Sequence, residues 1–549
     1  MSNIFHISRS QSLRESNVSQ LTAGAFDALI VGGGINGAIS AAALSAQGAR
    51  VALIDQGDFA GATSQASSNF VWGGIKYMET GEFGLVRNLC LSRNRLLAAY
   101  PSSIREIRFF TAIERGFRRS RTTLYAGAWA YWFIGSCFTH RPRWLSVRDI
   151  QREAPEIDAA QGFVGLEYSD GFLIDNDARF VFGFIRAALN RGAVIANYVQ
   201  SCGSKRDANG RWQTVARDVL TGRTMNIDSR LLINACGPSV DTMNALNTIE
   251  TQNRHVFSKG VHLVVDRIGA SEKVLAFFAD DGRLFFVIPM GAKSCIGTTD
   301  TRVTYLPPRV TEEDRRFILD NINKRLKLPK PLTERDIIAE RCGVRPLVVN
   351  REAAVDNAAD WTALSRKHAL DIDSDRNHVS VFGGKLTDCL NIGEEVVAVA
   401  RSLGVALPDR TKDWFGEPAD VIKREYLERA SAMKLDQRAD GELLSLRLWR
   451  RYGSDALSIL EAIARDSDMA TPLFADFIRG ELHYAAQREM ITKLEDFLRR
   501  RSCLALTERV ESLASDPGLV EACRILFGDR AKAKLDEYFG NEAQAEWMT

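Results

Sequence analysis

The sequence of 549 residues predicts an α/β (α+β) fold, in which a doubly wound sheet and a second sheet-bearing region precede a helical module. Three observations lead to this prediction. Residues 26–55 read as strand, glycine-rich turn, helix and strand, which is the βαβ unit of a doubly wound sheet. Further apolar runs of strand length recur up to residue 384, and several end in glycine. From about residue 406 the composition changes to helix-forming residues with almost no β-branched runs.

These changes divide the chain into three parts. Residues 1–24 are rich in Ser, Asn and Gln and lack the apolar core of a signal peptide, so they are predicted to be a flexible N-terminal arm. Residues 25–405 carry the sheets, and residues 406–549 form a C-terminal helical domain. Within that domain, helical spacing predicts one buried helix face through Phe474, Ile478, Leu482 and Ala485.

The overall charge argues against nucleic acid as a partner. The 71 basic and 69 acidic side chains nearly cancel to +2, so no global field of one sign draws the chain onto a polyanion. The nine cysteines are scattered, without a Cys-x-x-Cys pair or a histidine cluster at metal-ligand spacing. These features predict a protein of a reducing compartment, with no nucleic-acid partner and no metal site.

One segment is rich in uncharged aromatic residues. Residues 124–138 carry no charge and are flanked by arginines on both sides, including Arg121 and Arg141. The segment is shorter than the roughly 20 apolar residues that a spanning helix needs. Two interpretations remain open, namely docking at the headgroup boundary of a membrane and a buried core helix.

The glycine-rich turn predicts a dinucleotide site. Gly32, Gly34 and Gly37 form Gly-x-Gly-x-x-Gly between a strand and a helix, which permits a tight turn, close approach of a pyrophosphate and close helix packing. Asp55 ends the second strand, 23 positions after Gly32, where an acid holds the ribose hydroxyls. The turn alone does not separate FAD from NAD. The sequence contains no second copy of the motif, and this favours FAD, because flavoenzymes that also use nicotinamide commonly need two.

Further motifs resemble the FAD-dependent glycerol-3-phosphate dehydrogenase family, of the aerobic, quinone-linked type. The likeness is spread along almost the whole chain. It is carried by VGGGINGA (31–38), ATSQASSNFVWGGIKYMETGEF (62–83), EYSDGFLIDNDARF (167–180), INACGPSVD (233–241), KGVHLVV (259–265), GVRPL (343–347), VFGGKLTD (381–388) and ELHYAAQREMITKLEDFLRRRS (481–502).

This resemblance implies a Rossmann-type FAD-binding domain interleaved with a mixed-sheet substrate domain, plus the C-terminal helical domain. It implies FAD-dependent oxidation of sn-glycerol 3-phosphate to dihydroxyacetone phosphate, with hydride transfer to the flavin and electrons passed to membrane quinone. The expected location is cytoplasmic, peripheral on the inner face of the cytoplasmic membrane. The expected assembly is a homodimer.

The resemblance also implies which residues form the site. The residues expected to contact FAD are Gly32, Gly34, Gly37, Asp55, Thr63, Ser67, Ser68, Gly237, Pro238, Gly384, Lys385 and Leu386. The residues expected to bind the substrate are Lys76, Tyr77, Arg345, Arg366 and Lys385. A dianionic phosphate needs several cations, since one would leave buried charge unpaired. Taken singly, each of the last three cations has a surface salt bridge as its competing interpretation.

His262 is the predicted catalytic base. Oxidation of a secondary alcohol requires loss of the hydroxyl proton as the hydride leaves carbon, and histidine is the side chain most easily poised for this near neutral pH. A hydrogen-bonded strand histidine is the competing interpretation. Arg345 is predicted to share the catalytic work by stabilising the developing alkoxide.

The sequence departs from the family pattern in two places. Trp72 and Lys76 stand where the family has a histidine and an arginine, and a lysine point charge does not replace a bidentate arginine. Residues 388–390, Asp-Cys-Leu, replace the family's Thr-Tyr-Arg. Two alternatives therefore stay open: a flavoenzyme of the same fold acting on another small anionic alcohol or amine, and a non-catalytic flavin-binding scaffold.

Overall fold

The protein's structure, a computed structural model, describes residues 12–113, 120–157, 164–279, 283–352, 367–408, 411, 413–438 and 442–546. It contains two large sheets in the first three quarters of the chain and a helical region after them. The predicted fold class is confirmed.

The first sheet contains the glycine-rich turn. Its strands are β1 (Ala25–Val31), β2 (Val51–Ile54), β7 (Val194–Ala196), β8 (Val199–Arg206), β9 (Trp212–Asp218), β10 (Thr224–Asn234), β17 (Ala369–Asp373) and β18 (His378–Phe382). The order is β17-β18-β10-β1-β2-β7, and β8 and β9 extend from β10 as an antiparallel pair. Strands β18, β10, β1 and β2 are parallel, so their carboxyl ends meet at one edge of the sheet.

The second sheet contains the predicted catalytic residues His262 and Arg345. Its strands are β3 (Phe70–Val71), β4 (Ile104–Ile113), β5 (Arg143–Leu145), β6 (Val164–Leu173), β11 (Asn253–Asp266), β12 (Val274–Phe278), β13 (Leu284–Met290), β14 (Lys293–Gly297), β15 (Thr301–Val303) and β16 (Ala339–Asn350). The sheet is mixed, because β12 pairs parallel with β4 whereas the other pairs are antiparallel. The long pairing of β11 with β16 places His262 opposite Arg341.

Nine helices accompany the sheets among the described residues. They are α1 (Leu13–Leu21), α2 (Ile35–Ala46), α3 (Phe83–Ala99), α4 (Arg121–Ile134), α5 (Val147–Glu153), α6 (Asp177–Leu189), α7 (Val240–Leu246), α8 (Glu312–Arg325) and α9 (Cys389–Ser402). Helix α2 is almost fully buried, since its small side chains pack against α6, α9 and the first sheet. The apolar, small-residue composition of α2 suits this position.

The C-terminal region is mainly helical. Its helices are α10 (Asp420–Ala432), α11 (Leu444–Tyr452), α12 (Ala456–Arg465), α13 (Arg479–Arg488), α14 (Leu504–Thr507), α15 (Val510–Ser515), α16 (Pro517–Phe527) and α17 (Ala531–Glu546). The predicted helix face through Phe474 and Ile478 is wrong in its first half, because these residues form a small hairpin of β19 (Pro472–Phe474) and β20 (Phe477–Ile478). All four residues of that face are buried, so the apolar pattern marked the core but not the local conformation.

The predicted flexible arm is wrong for residues 12–24. Helix α1 begins with a capping box in which Ser12 and Glu15 exchange hydrogen bonds. The buried Arg14 donates to the Asn197 carbonyl at 2.9 Å and forms a 2.9 Å ion pair with Asp218. The polar residues that suggested a solvated arm therefore serve as a helix cap and as buried anchors. Residues 1–11 lie outside the described residues.

Candidate active site

The glycine-rich turn follows β1 at the edge where the parallel strands end. Gly32 has φ +107°, and a Cβ there would lie 2.5 Å from the Ala235 carbonyl oxygen. A Cβ on Gly37 would lie 1.8 Å from the Gly32 carbonyl oxygen. The Ser64 hydroxyl approaches the same turn, where it accepts the Ile35 N–H at 3.0 Å. Only glycine at positions 32 and 37 allows this close approach of strand, turn and helix.

Asp55 lies beside this turn, at the end of β2. Its carboxylate accepts the Gly33 N–H at 2.6 Å and the Gly57 N–H at 2.8 Å. Burial raises the pKa of Asp55 to about 6, although the two backbone hydrogen bonds act in the opposite direction. The acid is therefore held rigidly against the turn, where its remaining acceptor capacity suits a ribose hydroxyl.

A cavity of about 350 Å³ opens next to the turn and brings most of the predicted site residues together. The predicted residues that line it are Thr63, Ser67, Ser68, Lys76, Tyr77, His262, Arg345, Gly384, Lys385 and Leu386. They come from β11 and β16 of the second sheet and from the segments after β2, β3 and β18, which are far apart in the chain. The cavity is of the size that small-ligand sites occupy.

The other predicted residues have different positions. Gly237 and Pro238 follow β10, and Pro238 lines a separate cavity of about 410 Å³ beside Asp241 and His255. Gly237 has φ +54°, and a Cβ there would meet no atom within 4 Å, so it faces open space near the sheet edge. Arg366 lies outside the described residues.

His262 is buried in the wall of the cavity, with 2% of its surface exposed. Its Nε2 lies 3.0 Å from the Ser68 hydroxyl, and its Nδ1 has no hydrogen-bond partner among the described residues. The pKa of His262 is well below its ordinary value of 6.5, first because of burial and then because of the cations Arg341 and Arg345. The imidazole is therefore neutral at physiological pH and retains an acceptor nitrogen, as a general base requires.

Arg345 lies on β16, opposite Ser258 of β11, and lines the cavity. Its guanidinium donates to the Thr298 hydroxyl at 3.1 Å and to the Thr299 carbonyl at 3.3 Å, and it lies 3.4 Å from the Asp300 carboxylate. A Cβ at Gly260 would lie 2.4 Å from the Arg345 Nη2 atom, so this glycine makes room for the guanidinium. The arginine is held in a fixed orientation toward the cavity.

Lys385 lies against the aromatic rings of Tyr77 and Trp72, which also line the cavity. Its Nζ is 3.8 Å from the centre of the Tyr77 ring and 5.7 Å from that of Trp72, distances at which a cation is attracted to a ring face. The Trp72 backbone N–H donates to the Thr387 hydroxyl at 2.9 Å. Trp72, the residue that departs from the family pattern, thus helps to position a predicted substrate-binding cation.

The second departure lies away from the cavity. The Asp388 carboxylate contacts His368 Nδ1 at 2.5 Å, and Glu395 contacts the other ring nitrogen at 2.9 Å. Burial opposes protonation of His368, but the two carboxylates outweigh it and raise the pKa of the ring. Cys389 and Leu390 are fully buried at the start of α9. This change therefore alters the support behind the cavity, whereas Trp72 and Lys76 alter its wall.

Arg341 is a site residue that the sequence interpretation missed. It is buried opposite His262 and pairs with the Asp177 carboxylate at 3.0 Å. Asp177 also accepts the Ser67 N–H at 2.8 Å, so the pair connects the predicted base with the loop that lines the cavity. Side chains alternate between the two faces of a strand, so Arg341 and Arg345 lie on the same face of β16. This spacing from Arg345 was the signal in the sequence that could have identified Arg341.

The residues around the turn fit a dinucleotide cofactor. A Cβ at Gly32 or Gly37 would strike the backbone, so the turn is tightly packed, and Gly34, at the start of α2, carries no capping side chain, as in helix ends that bind a pyrophosphate. Thr63, Ser67 and Ser68 line the cavity beside this turn. The turn therefore suits the nucleotide, and the adjacent cavity suits its reactive ring.

Two family models and several known proteins match this chain. The family model described as FAD dependent oxidoreductase matches residues 27–385, and that described as the C-terminal domain of alpha-glycerophosphate oxidase matches residues 427–530. The aerobic glycerol-3-phosphate dehydrogenase of Staphylococcus haemolyticus is 29% identical over 500 residues, which cover 87% of this chain and 86% of the relative. That of Escherichia coli is 29% identical over 494 residues, covering 87% of this chain and 93% of the relative.

Two solved structures are similar to the whole chain or to most of it. The glycerol-3-phosphate dehydrogenase from Bacillus halodurans, complexed with FAD, is 25% identical, covers 97% of both chains and has a TM-score of 0.72. The L-alpha-glycerophosphate oxidase from Mycoplasma pneumoniae, with FAD bound, is 18% identical, covers 72% of this chain and 98% of its own, and has a TM-score of 0.55. The second likeness shows the shared fold alone.

Proposed function

The chain belongs to the FAD dependent oxidoreductase family, and from this premise we propose that it oxidises sn-glycerol 3-phosphate to dihydroxyacetone phosphate. The observation that carries the proposal is the cavity in which a neutral His262 lies with the cations Arg345 and Lys385, next to the dinucleotide turn. The relatives named glycerol-3-phosphate dehydrogenase support the choice of substrate.

The residues that would hold FAD are those of the turn and of the loops beside it. Gly32, Gly34 and Gly37 leave room for the pyrophosphate, and Asp55 would accept the ribose hydroxyls. The loop residues Thr63, Ser67 and Ser68 and the turn residues Gly384 to Leu386 would contact the rest of the cofactor. When bound, FAD supplies the hydride acceptor, so the protein has only to position and polarise the alcohol.

The substrate phosphate would be bound by cations that converge on the cavity. Lys76, Arg345 and Lys385 all line it, and a dianion requires several positive groups because one would leave charge uncompensated in a buried place. His262 would take the hydroxyl proton at a ring nitrogen as the hydride leaves carbon. Arg345 would stabilise the negative charge that develops on the same oxygen.

The direct test is anaerobic addition of sn-glycerol 3-phosphate to the purified yellow protein. We expect bleaching of the flavin absorbance, because the bound cofactor takes the hydride and no acceptor is present to remove it. Absence of bleaching at millimolar substrate would contradict the proposal. Steady turnover with an acceptor dye would exclude the non-catalytic scaffold.

A second candidate is a flavoenzyme of the same fold that acts on another small anion. Trp72 and Lys76 favour it, because they change the wall on which the family carries a histidine and an arginine. Hydroxy acids and amino acids should then bleach the flavin faster than sn-glycerol 3-phosphate at equal concentration. Hydrogen peroxide production would identify an oxidase, whereas reduction of a quinone analogue would identify a dehydrogenase.

We further propose that membrane quinone accepts the electrons and that α4 docks the protein on the inner face of the cytoplasmic membrane. Among the helices that the structure describes, none is long and apolar enough to span a bilayer. Only Ala128 and Tyr131 of α4 are buried, while Phe133 is 60% exposed and Phe138 is 51% exposed beyond the helix end. This exposure disfavours the core-helix interpretation and suits the headgroup boundary, with Arg121 and Arg141 exposed as basic flanks.

Substitution of Trp129, Trp132 and Phe133 by Ser tests the docking surface. We expect the triple variant to keep its dye-linked activity and to lose vesicle binding by about tenfold or more, because it removes three aromatic rings from the proposed interface. Co-sedimentation with vesicles containing anionic phosphatidylglycerol measures the bound fraction. The matched control replaces three exposed apolar residues of the helical region, V421S/L443S/L446S. Equal binding by the two triple variants would refute the docking surface.

A further inference from the structure

Three consecutive arginines of the C-terminal region contact the loops beside the glycine-rich turn. Arg499, Arg500 and Arg501, here called the arginine clasp, lie in a π-helical turn, Asp496–Arg501. Such turns are rare and occur frequently at functional sites. The contacts of the clasp join residues more than 430 positions apart in the chain.

The first contact is with Asp58, three residues after Asp55. Arg501 binds the two oxygens of the Asp58 carboxylate at 2.8 and 2.9 Å, and Arg500 donates to the same carboxylate at 2.7 Å. Burial tends to raise the pKa of Asp58, but the Arg501 and Arg500 cations outweigh it and lower the pKa. Asp58 is thus a buried anion that depends on the clasp for its compensation.

Asp58 belongs to a loop that supports the turn. Two residues further on, the Ala60 N–H donates to the Gly33 carbonyl at 3.0 Å. The neighbouring Phe59 ring is so close that a Cβ on Gly33 would lie 2.7 Å from it. A shift of Asp58 would therefore move the backbone on which the dinucleotide turn rests.

The second contact is with Gln65, in the loop that carries Thr63, Ser67 and Ser68. Arg499 donates to the Gln65 backbone carbonyl, and Arg500 donates to its side-chain oxygen at 3.3 Å. Arg341, opposite His262, approaches the same carbonyl at 3.4 Å. One short segment of the C-terminal region thus contacts the connection between β2 and β3 at both Asp58 and Gln65, beside the proposed cofactor site.

Arg499 is held there at an electrostatic disadvantage. Burial and the neighbouring Arg341 cation lower the pKa of Arg499 to about 10, and its Nη1 atom has no hydrogen-bond partner among the described residues. A buried cation without a carboxylate partner lowers the stability of the fold, so packing alone does not explain an arginine at this position. Its position behind the loop adds positive potential near the turn that is proposed to bind an anionic dinucleotide.

We propose that Arg499, Arg500 and Arg501 are positioning residues through which the C-terminal helical domain retains FAD, by fixing the loops around Asp58 and Gln65 in their cofactor-binding conformation. The inference rests on the proposed placement of FAD along the glycine turn. It makes the helical domain part of the cofactor site although none of its described residues lines the cavity.

The test compares the rate of FAD release from three variants of the full-length holoenzyme. R499Q removes the bond to Gln65, and R501Q removes the bidentate bond to Asp58 while Arg500 still compensates that acid. R447Q is the matched control, because it removes an arginine whose side chain is only 11% exposed from Glu481 within the C-terminal region, while Arg451 still compensates that acid. Flavin fluorescence rises on release, and each variant is measured at the same interval below its own melting temperature.

We expect R499Q and R501Q to release FAD about tenfold faster than the wild type, the effect typical of a lost hydrogen bond to a charged group, and R447Q to match the wild type. If R501Q fails to fold, R499Q alone tests the inference, because loss of the Arg499 guanidinium leaves no buried carboxylate without a partner. Release from R499Q at the wild-type rate, or equally fast release from R447Q, would overturn the inference. Release needs no substrate, so this outcome is independent of whether sn-glycerol 3-phosphate bleaches the flavin.

Discussion

Replacement of His262 by Asn is expected to lower kcat about 100- to 10,000-fold, the range associated with loss of a general base. Asparagine keeps a polar atom near the Nδ1 position but is too short to reach Ser68, which contacts Nε2, and it cannot take up the alcohol proton. The FAD content should stay at the wild-type level, because His262 is proposed to act on the substrate. Stopped-flow flavin reduction under anaerobic conditions measures the chemical step directly.

The matched control for this variant is His378→Asn. His378 is also a buried strand histidine, and burial lowers its pKa to about 4, but it does not line the cavity. If H378N slowed flavin reduction as much as H262N, the loss would reflect disturbed packing and His262 would not be the base.

The lowered pKa of His262 also fixes the sign of a pH dependence. The folded protein keeps this imidazole unprotonated below pH 6.5, where an unfolded chain would bind a proton. We therefore expect kcat/KM to stay level as the pH falls to 6.5 and to decline only below that value. The expectation would be wrong if kcat/KM declined with a midpoint at about pH 7 or above and H262N lacked this decline. Such a result would show that the pKa of His262 is not lowered.

Replacement of Gly37 by Ala is expected to give protein without bound FAD. The new Cβ would lie 1.8 Å from the Gly32 carbonyl oxygen, so α2 would have to move away from β1 and distort the turn that the pyrophosphate would approach. Absorbance near the flavin bands of the purified protein measures the occupancy. Thermal unfolding should show a loss of stability of about 1–3 kcal/mol, as for other overpacked sites.

Gly183→Ala is the control for the glycine variant. Gly183 lies in helix α6, and a Cβ there would meet no atom within 4 Å. Alanine should stabilise that helix by about 1 kcal/mol and leave FAD bound. Full occupancy in G37A would show that the turn tolerates a side chain and would place the cofactor elsewhere.

Several features could be predicted because the chemistry is local in the chain. Strand, turn and helix at residues 26–46 follow from apolar periodicity and glycine spacing, and the structure has them within a few residues. Asp55 could be placed for the same reason, since it ends the next strand of the same βαβ unit. The convergence of Arg345 and Lys385 on one cavity was predicted through resemblance, because their own surroundings in the chain do not indicate it.

Other features depended on partners far away in the chain. The composition of the N-terminal segment predicted a solvated arm. In the structure, Arg14 pairs with Asp218, 204 residues later in the chain, and this ion pair anchors α1. Phe474 and Ile478 fit a helix by spacing, but they form a hairpin packed under neighbouring helices. Tertiary packing overrides local preference in such cases, since burying the side chains stabilises more than the propensity of a few residues.

The sequence by itself determined the doubly wound sheet and the dinucleotide turn, because both depend on short-range spacing, whereas the substrate cations were predicted only through resemblance to the family. Only the tertiary structure decided that Arg341 lies opposite His262 and that the arginine clasp holds the loops at Asp58 and Gln65. Strand register and domain packing set those contacts. Both depend on the free energy of the whole folded chain, which no single segment encodes.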